Sequence, residues 1–262
     1  MKEATMTARD LALRLCLLMS AAIPATAQSP DSKALLDASL ENASDIDRPA
    51  WVRHAFKRHV TRQRLDEEGD VEWRQTMLFQ VTPTAGGLAE ELLEIDGRAP
   101  TTAEVDKHRK RGLFAKHYEQ TAGVVLENPL GKDLPLLPLI YEQEHEYVGM
   151  DAVDGIPCHR IRFDARPEPS GEPIEVKLRY AMKGELCISL EGQRLMHVDI
   201  QTVREVKSVV RIKAVRIHFE ARPQGDVWLP TFFEMKSDVK AIGMKFRTHN
   251  IYSYSDFRLP GG

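Results

Sequence analysis

The sequence predicts an α+β protein built on one highly curved antiparallel sheet, with helices packed against its apolar side. Three observations carry this. From residue 141 onward the 262-residue chain is nearly all strand-like, apolar and polar residues alternating between short turn signals. Consecutive strands joined by tight turns pair as an antiparallel meander. In "KSVVRIKAVRIHFEAR" the apolar phase switches near Ala214 and Val215, which marks a bulge and therefore a bend. A bent sheet that is greasy on one side needs a cover.

The first 27 residues stand apart from that sheet. Lys2, Arg9 and Arg14 precede the apolar run "LCLLMSAAIP", which is followed by Ala25-Thr26-Ala27, the small-x-small pattern of a cleaved export signal. The run is shorter than a bilayer span of roughly 18 residues, so the expectation is a mature chain from about Gln28 with no transmembrane segment. Residues 28–262 are then a single exported, periplasmic domain. The net charge of −3 excludes nucleic acid as a default partner, because phosphate binding needs a surplus of clustered Lys and Arg.

The elements follow in order. "DSKALLDASLENAS" at 31–44 has Asp31 or Ser32 as N-cap and Leu35, Leu36 and Leu40 at helical spacing. Pro49 starts another turn. From residue 55 the period becomes two, giving a pair of strands around the turn at Glu67-Glu68-Gly69-Asp70. A third strand, "LAEELLEID", ends at Asp96-Gly97, a tight-turn signal. Thr101 or Thr102 with Glu104 forms a partial capping box before a charged helix that runs to about 119. Residues 121–140, "TAGVVLENPLGKDLPLLPLI", hold three prolines, which oppose regular structure. This apolar insert reads either as a linker packed on the core or as a lid over a cavity.

The stretch "PCHRIRFDARPEPSGEPIEVKLRYAMKGELCIS" at 157–189 keeps a cysteine at each end. Folding it symmetrically about Glu172 and Pro173 sets Cys158 opposite Cys187, Arg160 opposite Glu185, Phe163 opposite Met182 and Ala165 opposite Tyr180. In an oxidising compartment this suits a cross-strand disulfide between Cys158 and Cys187; the alternative is two unpaired thiols on neighbouring strands. Both cysteines fall on the charged face of the predicted hairpin.

Reactive motifs are missing from the chain. His54 and His59 are five apart with no glutamate between them, which is not the spacing of HExxH. His159, His197, His218 and His249 lie singly on strands, and Glu142, Glu144, His145 and Glu146 divide between two faces of one strand. No G-x-S-x-G, phosphate loop or C-x-x-C occurs. The basic block Lys107 to Arg111 sits beside Glu104 and Asp106, as on a solvated helix face. The expectation is a non-enzymatic protein with no metal and no cofactor.

The order of motifs resembles a known group. "LEIDGRAPTTAEVDKHR" leads into "YVGMDAVDGIPCHRIRFDARP", then "GELCISLEGQRLMHVDI", "GDVWLPTFFEM" and a closing "YSYSDFR". Over residues 50 to 258 this is similar to largely uncharacterised bacterial envelope proteins related to the outer-membrane lipoprotein-sorting (LolA-like) superfamily. The resemblance implies an unclosed half-barrel with helices inside its concave face. It also implies carriage of lipoprotein acyl chains in that hollow, or a role as an envelope sensor.

Together these readings give a protein that holds lipid or a lipidated protein by apolar burial. The inward candidates are Ile161, Phe163, Ile217, Phe219, Phe233, Met235 and Phe246. The runner-up is an envelope interaction or sensor protein that uses the same fold with a filled core.

Overall fold

The computed structural model describes residues 29–43, 53–84, 87–112, 125–126, 134–135, 140, 143–208, 210–225, 227–241 and 243–259. The predicted leader, the turn at Pro49, the end of the second helix and most of the 121–140 insert lie outside those residues. Every element below belongs to one compact unit, Asp31–Gly262.

Helix α1 spans Ser32–Ala43. Asp31 caps it: its Oδ1 accepts the Lys33 N–H at 2.9 Å, which satisfies one of the amides a helix start leaves unpaired. Ser32 Oγ donates to the His145 carbonyl at 3.0 Å, and Leu35 and Leu36 are buried in the core.

Strands β1 (Ala55–Leu65), β2 (Val71–Thr84) and β3 (Gly87–Ile95) form an antiparallel meander. Asp66 makes the first turn, its Oδ1 accepting the amides of Glu68, Gly69 and Asp70. Helix α2 covers Thr102–Gly112 and begins with the expected capping box. Thr101 N–H donates to Glu104 Oε2 at 2.8 Å, and the Glu104 amide points back at Thr101 Oγ1. His108 on α2 meets the ring of buried Phe79 at 5.8 Å, so this helix lies on the core side of β2. Within the insert, β4 (Val125–Leu126) and β5 (Leu134–Pro135) pair for two residues each.

The second half is the predicted run of strands: β6 (His145–Val153), β7 (Ile156–Phe163), β8 (Met182–Ser189), β9 (Leu195–Thr202), β10 (Val206–Lys207), β11 (Val210–Gln224), β12 (Val227–Ala241) and β13 (Met244–Arg258). All but β4 and β5 join one eleven-stranded sheet in the order β3-β2-β1-β13-β12-β11-β9-β8-β7-β6, with β10 paired to β11 beside that path. The last strand pairs with the first, yet β3 and β6 remain as edges, so the sheet is an open half-barrel. Register shifts bend it at several places, including the predicted bulge, which falls between Ile212 and Ala214.

Cross-strand register explains the core. One apolar row crosses the whole sheet: Tyr147, Ile161, Leu186, Val198, Phe219, Phe233, Tyr252, Val60, Met77 and Ile95 stand opposite one another in turn. All belong to or pack on a single buried cluster that also takes in Leu35, Leu36 and Ile140.

The 157–189 hairpin departs from its predicted register. Cys158 stands opposite Ser189, and Cys187 opposite Arg160, a slip of two residues. Neither Phe163–Met182 nor Ala165–Tyr180 pairs; Phe163 faces Gly184 instead. The cause is a third helix, α3 (Ile174–Ala181), on the return arm. Ile174, Leu178 and Ala181 recur at i, i+4 and i+7 and pack on the core, and Pro173 occupies the N-cap position. Helical burial therefore wins over the continued ladder, and the strands resume only at Met182.

Candidate functional site

The register places all seven predicted inward residues on the core side of the sheet. Ile161, Phe163, Ile217, Phe219, Phe233 and Met235 are buried in the main cluster. Phe246, opposite buried Val239, is 36% exposed. It marks the end of the sheet that no helix among the described residues covers. There the same side presents Trp73 (45% exposed), two residues from Val71 (51%), and Met244 (56%). Trp73 stands opposite Arg64, which is opposite Thr248, so these residues share the face of the core. Arg62, one row nearer the core, adds a second cation.

The opposite side of β7, β8, β9 and β11 is polar and gridded by register. One row reads Arg160, Cys187, His197, Glu220; the next reads Arg162, Glu185, Asp199, His218. A groove of about 940 Å³ lies along it, lined among others by Arg160, Glu185, Cys187, His197, Asp199 and Arg216. Arg160 donates twice to Glu185 Oε2, at 2.6 and 3.0 Å, and Arg216 donates to Asp199 at 2.9 Å. These hydrogen bonds to carboxylates raise both guanidinium pKa values above the ordinary arginine value. The predicted Arg160–Glu185 pair thus forms, as a diagonal rather than a directly opposed one.

Cys158 and Cys187 are free thiols, in hydrogen-bonding contact rather than bonded to each other. They lie on the charged side, yet they are 0% and 5% exposed. Met196 completes their cluster, and Val153, Ile156 and Trp228 pack against it. Burial pushes both thiols above the ordinary cysteine value.

The histidines expected to stand singly do not all do so. The rings of His197 and His218 meet at 4.9 Å, edge to face. His218 Nε2 lies 3.0 Å from Glu220 Oε1, and Arg222 donates to Glu220 Oε2 at 3.0 Å and to Asp154 at 2.5 Å. Burial, and then the neighbouring His218, lowers the pKa of His197. The pairing of His197 with Glu220 depends on the β9–β11 register, across more than twenty residues of chain. Only the i, i+2 spacing of His218 and Glu220 was open to inspection in the sequence.

The fold and both faces define an open antiparallel half-barrel with few helices, the architecture that the LolA-like resemblance implied. Among solved structures the chain is similar to a DUF1329 family protein from Desulfovibrio piger, with 11% identity, 88% of this chain and 93% of that chain covered, and a TM-score of 0.33. It is also similar to the MucA/MucB complex structure of Pseudomonas aeruginosa (10%, 89% and 100%, 0.25) and to LprF from Mycobacterium bovis (11%, 89% and 97%, 0.27). At these identities and scores the likeness carries no argument about ligand or partner. No protein-family model matches the chain, and no curated protein matches it. No helix among the described residues is long and apolar enough to cross a membrane.

Proposed function

We propose that this is an exported protein of the cell envelope that holds an apolar ligand, the acyl chain of a lipid or of a lipidated protein, against the core side of its half-barrel. The observation that supports it is the end of that side where Trp73, Val71, Met244 and Phe246 are exposed near Arg62 and Arg64, with no described helix over them. Apolar area there gains roughly 25 cal/mol per Å² when a ligand covers it. Arg64 donates its Nε–H to Glu72 at 2.7 Å, and its terminal nitrogens would meet an anionic headgroup only in addition to that pair. The six buried inward candidates then act as the floor on which this end rests, with Phe246 as the one that meets the ligand.

The test is to produce the chain with its leader, isolate it from the envelope without detergent, and analyse an organic extract by mass spectrometry. A bound acyl lipid in near-equal amount is expected, along with uptake of a fluorescent fatty acid that Trp73→Asp and Phe246→Asp abolish. An empty extract and no uptake would overturn it. The filling of the inner face by Ile161, Phe163 and Ile217 favours a second reading in that event: an envelope interaction protein whose partner covers the same end.

A further inference from the structure

The grid on the polar side holds a group of side chains that the apolar ligand does not use. We propose that His197, His218 and Glu220 bind a divalent transition metal ion of the zinc type at the margin of the polar groove.

The backbone presents the three in a favourable way. His218 and Glu220 are two apart on β11, so strand alternation points both to one side. His197 stands directly opposite Glu220 on β9, and diagonally to His218. Two ligands from one strand and a third from its neighbour are held by ladder hydrogen bonds on both sides. Their donor atoms already lie within 4.8 Å of one another. A tetrahedral ion with bonds of about 2.0 to 2.2 Å needs its ligand atoms about 3.4 Å apart, which small side-chain rotations supply. Two imidazoles and one carboxylate are a donor set that suits zinc and its neighbours better than magnesium or calcium.

The surroundings hold these ligands in place. Arg222 takes Glu220 Oε2 and leaves Oε1 on the side of His218. Asp199 Oδ2 is 3.9 Å from His218 Nδ1 and is itself held by Arg216. Carboxylates that orient ligating histidines are a common outer layer around bound metal ions. Phe232 packs against the His218 ring at 5.7 Å and restricts its rotation. The Nδ1 atom of His197 is buried with no hydrogen-bond partner among the described residues, so that nitrogen is not committed elsewhere. His197 also lines the groove, and a bound ion therefore meets solvent there.

The experiment is isothermal titration of the mature chain with zinc chloride, after chelator treatment and in a non-coordinating buffer. One saturable site is expected, weakened by more than about tenfold in His197→Ala, His218→Ala and Glu220→Gln. His249→Ala, which alters a histidine paired with Glu234 instead, should leave the affinity unchanged. Bound cobalt(II) should show the intense visible absorption of a low-coordinate site, lost in the same three variants. Unfolding midpoints without metal separate a lost ligand from a misfolded variant. No saturable binding at micromolar zinc, equal affinity for magnesium, or full affinity in the His197→Ala/His218→Ala double variant would each overturn the proposal.

Discussion

Gly184 on β8 stands opposite Phe163 on β7, and the ring of Phe163 occupies the space that a side chain at 184 would need. A Cβ built there would come within 3.0 Å of Phe163 Cζ and 2.5 Å of the Asp199 carbonyl oxygen. The ring can rotate away, but the carbonyl belongs to the neighbouring strand and moves only with β9. Gly184→Ala should therefore destabilise the protein by about 1 to 3 kcal/mol, the usual range for overpacking a filled core. Urea unfolding measures it, and a midpoint equal to that of the parent chain would refute the contact.

The thiols of Cys158 and Cys187 lie beneath Trp228, Val153 and Ile156 and are pushed up by burial. Only a thiolate attacks a disulfide reagent. A folded chain produced from Gln28 onward, with Cys158 and Cys187 as its two cysteines, should therefore react slowly with such a reagent at mildly alkaline pH and release two thiols once unfolded. Trp228→Ala removes part of the cover and should speed the reaction of the folded state. Fast reaction in the parent chain would mean that the cluster is open.

The strands were legible because alternation is local: "RIRF" and "RIHFEA" announce one wet and one greasy face without knowledge of the partner strand. The bulge at Ala214 was legible for the same reason, as a break in that alternation. The 157–189 register was not. It hinged on whether "PIEVKLRYA" continued a ladder or turned into helix α3, and a period carried by only eight residues is short against the strand context on both sides. Burial of Leu178 and Ala181 decided the outcome, a tertiary effect. Grouping of His197 with His218 and Glu220 was hidden still more deeply, since neither strand betrays which row of the other it will face. Alternation assigns the inward residues to one face, but the exposure of Phe246 depends on where the helices stop, which no local pattern announces.

Glu104 anchors the start of α2 through Arg98, both terminal guanidinium nitrogens of which donate to its carboxylate, and through Thr101. The Arg98 hydrogen bond first, and the two from Thr101 next, hold its pKa down to about 2. A depressed carboxylate contributes stability above the unfolded value of 4.5 and loses it as pH falls from there toward about 2. Amide hydrogen exchange in the first turn of α2 should stay slow down to mildly acidic pH and accelerate in Glu104→Gln. Identical exchange in parent and variant would show that the capping box is not formed in solution.

His145 shifts in the opposite sense to a paired histidine. Its ring packs edge-on against Phe163 at 5.9 Å, and its Nε2 is buried with no hydrogen-bond partner among the described residues. Burial lowers its pKa below 6.5, a nearby Arg166 adds to that, and a hydrogen bond with the Ile140 backbone offsets part of it. With the folded value below the unfolded one, the unfolded chain binds the proton more readily. This site's contribution is therefore complete above about pH 6.5 and is lost as pH falls through that value toward the folded pKa. His197, lowered by burial as well, acts in the same direction. His145→Phe keeps an aromatic ring against Phe163 and removes the titration. The urea midpoint of the parent should then fall relative to that of the variant as pH drops from about 8 to below about 6, because the parent alone carries the His145 loss. Parallel curves across that range would mean that His145 is solvated and titrates as it does in the unfolded chain.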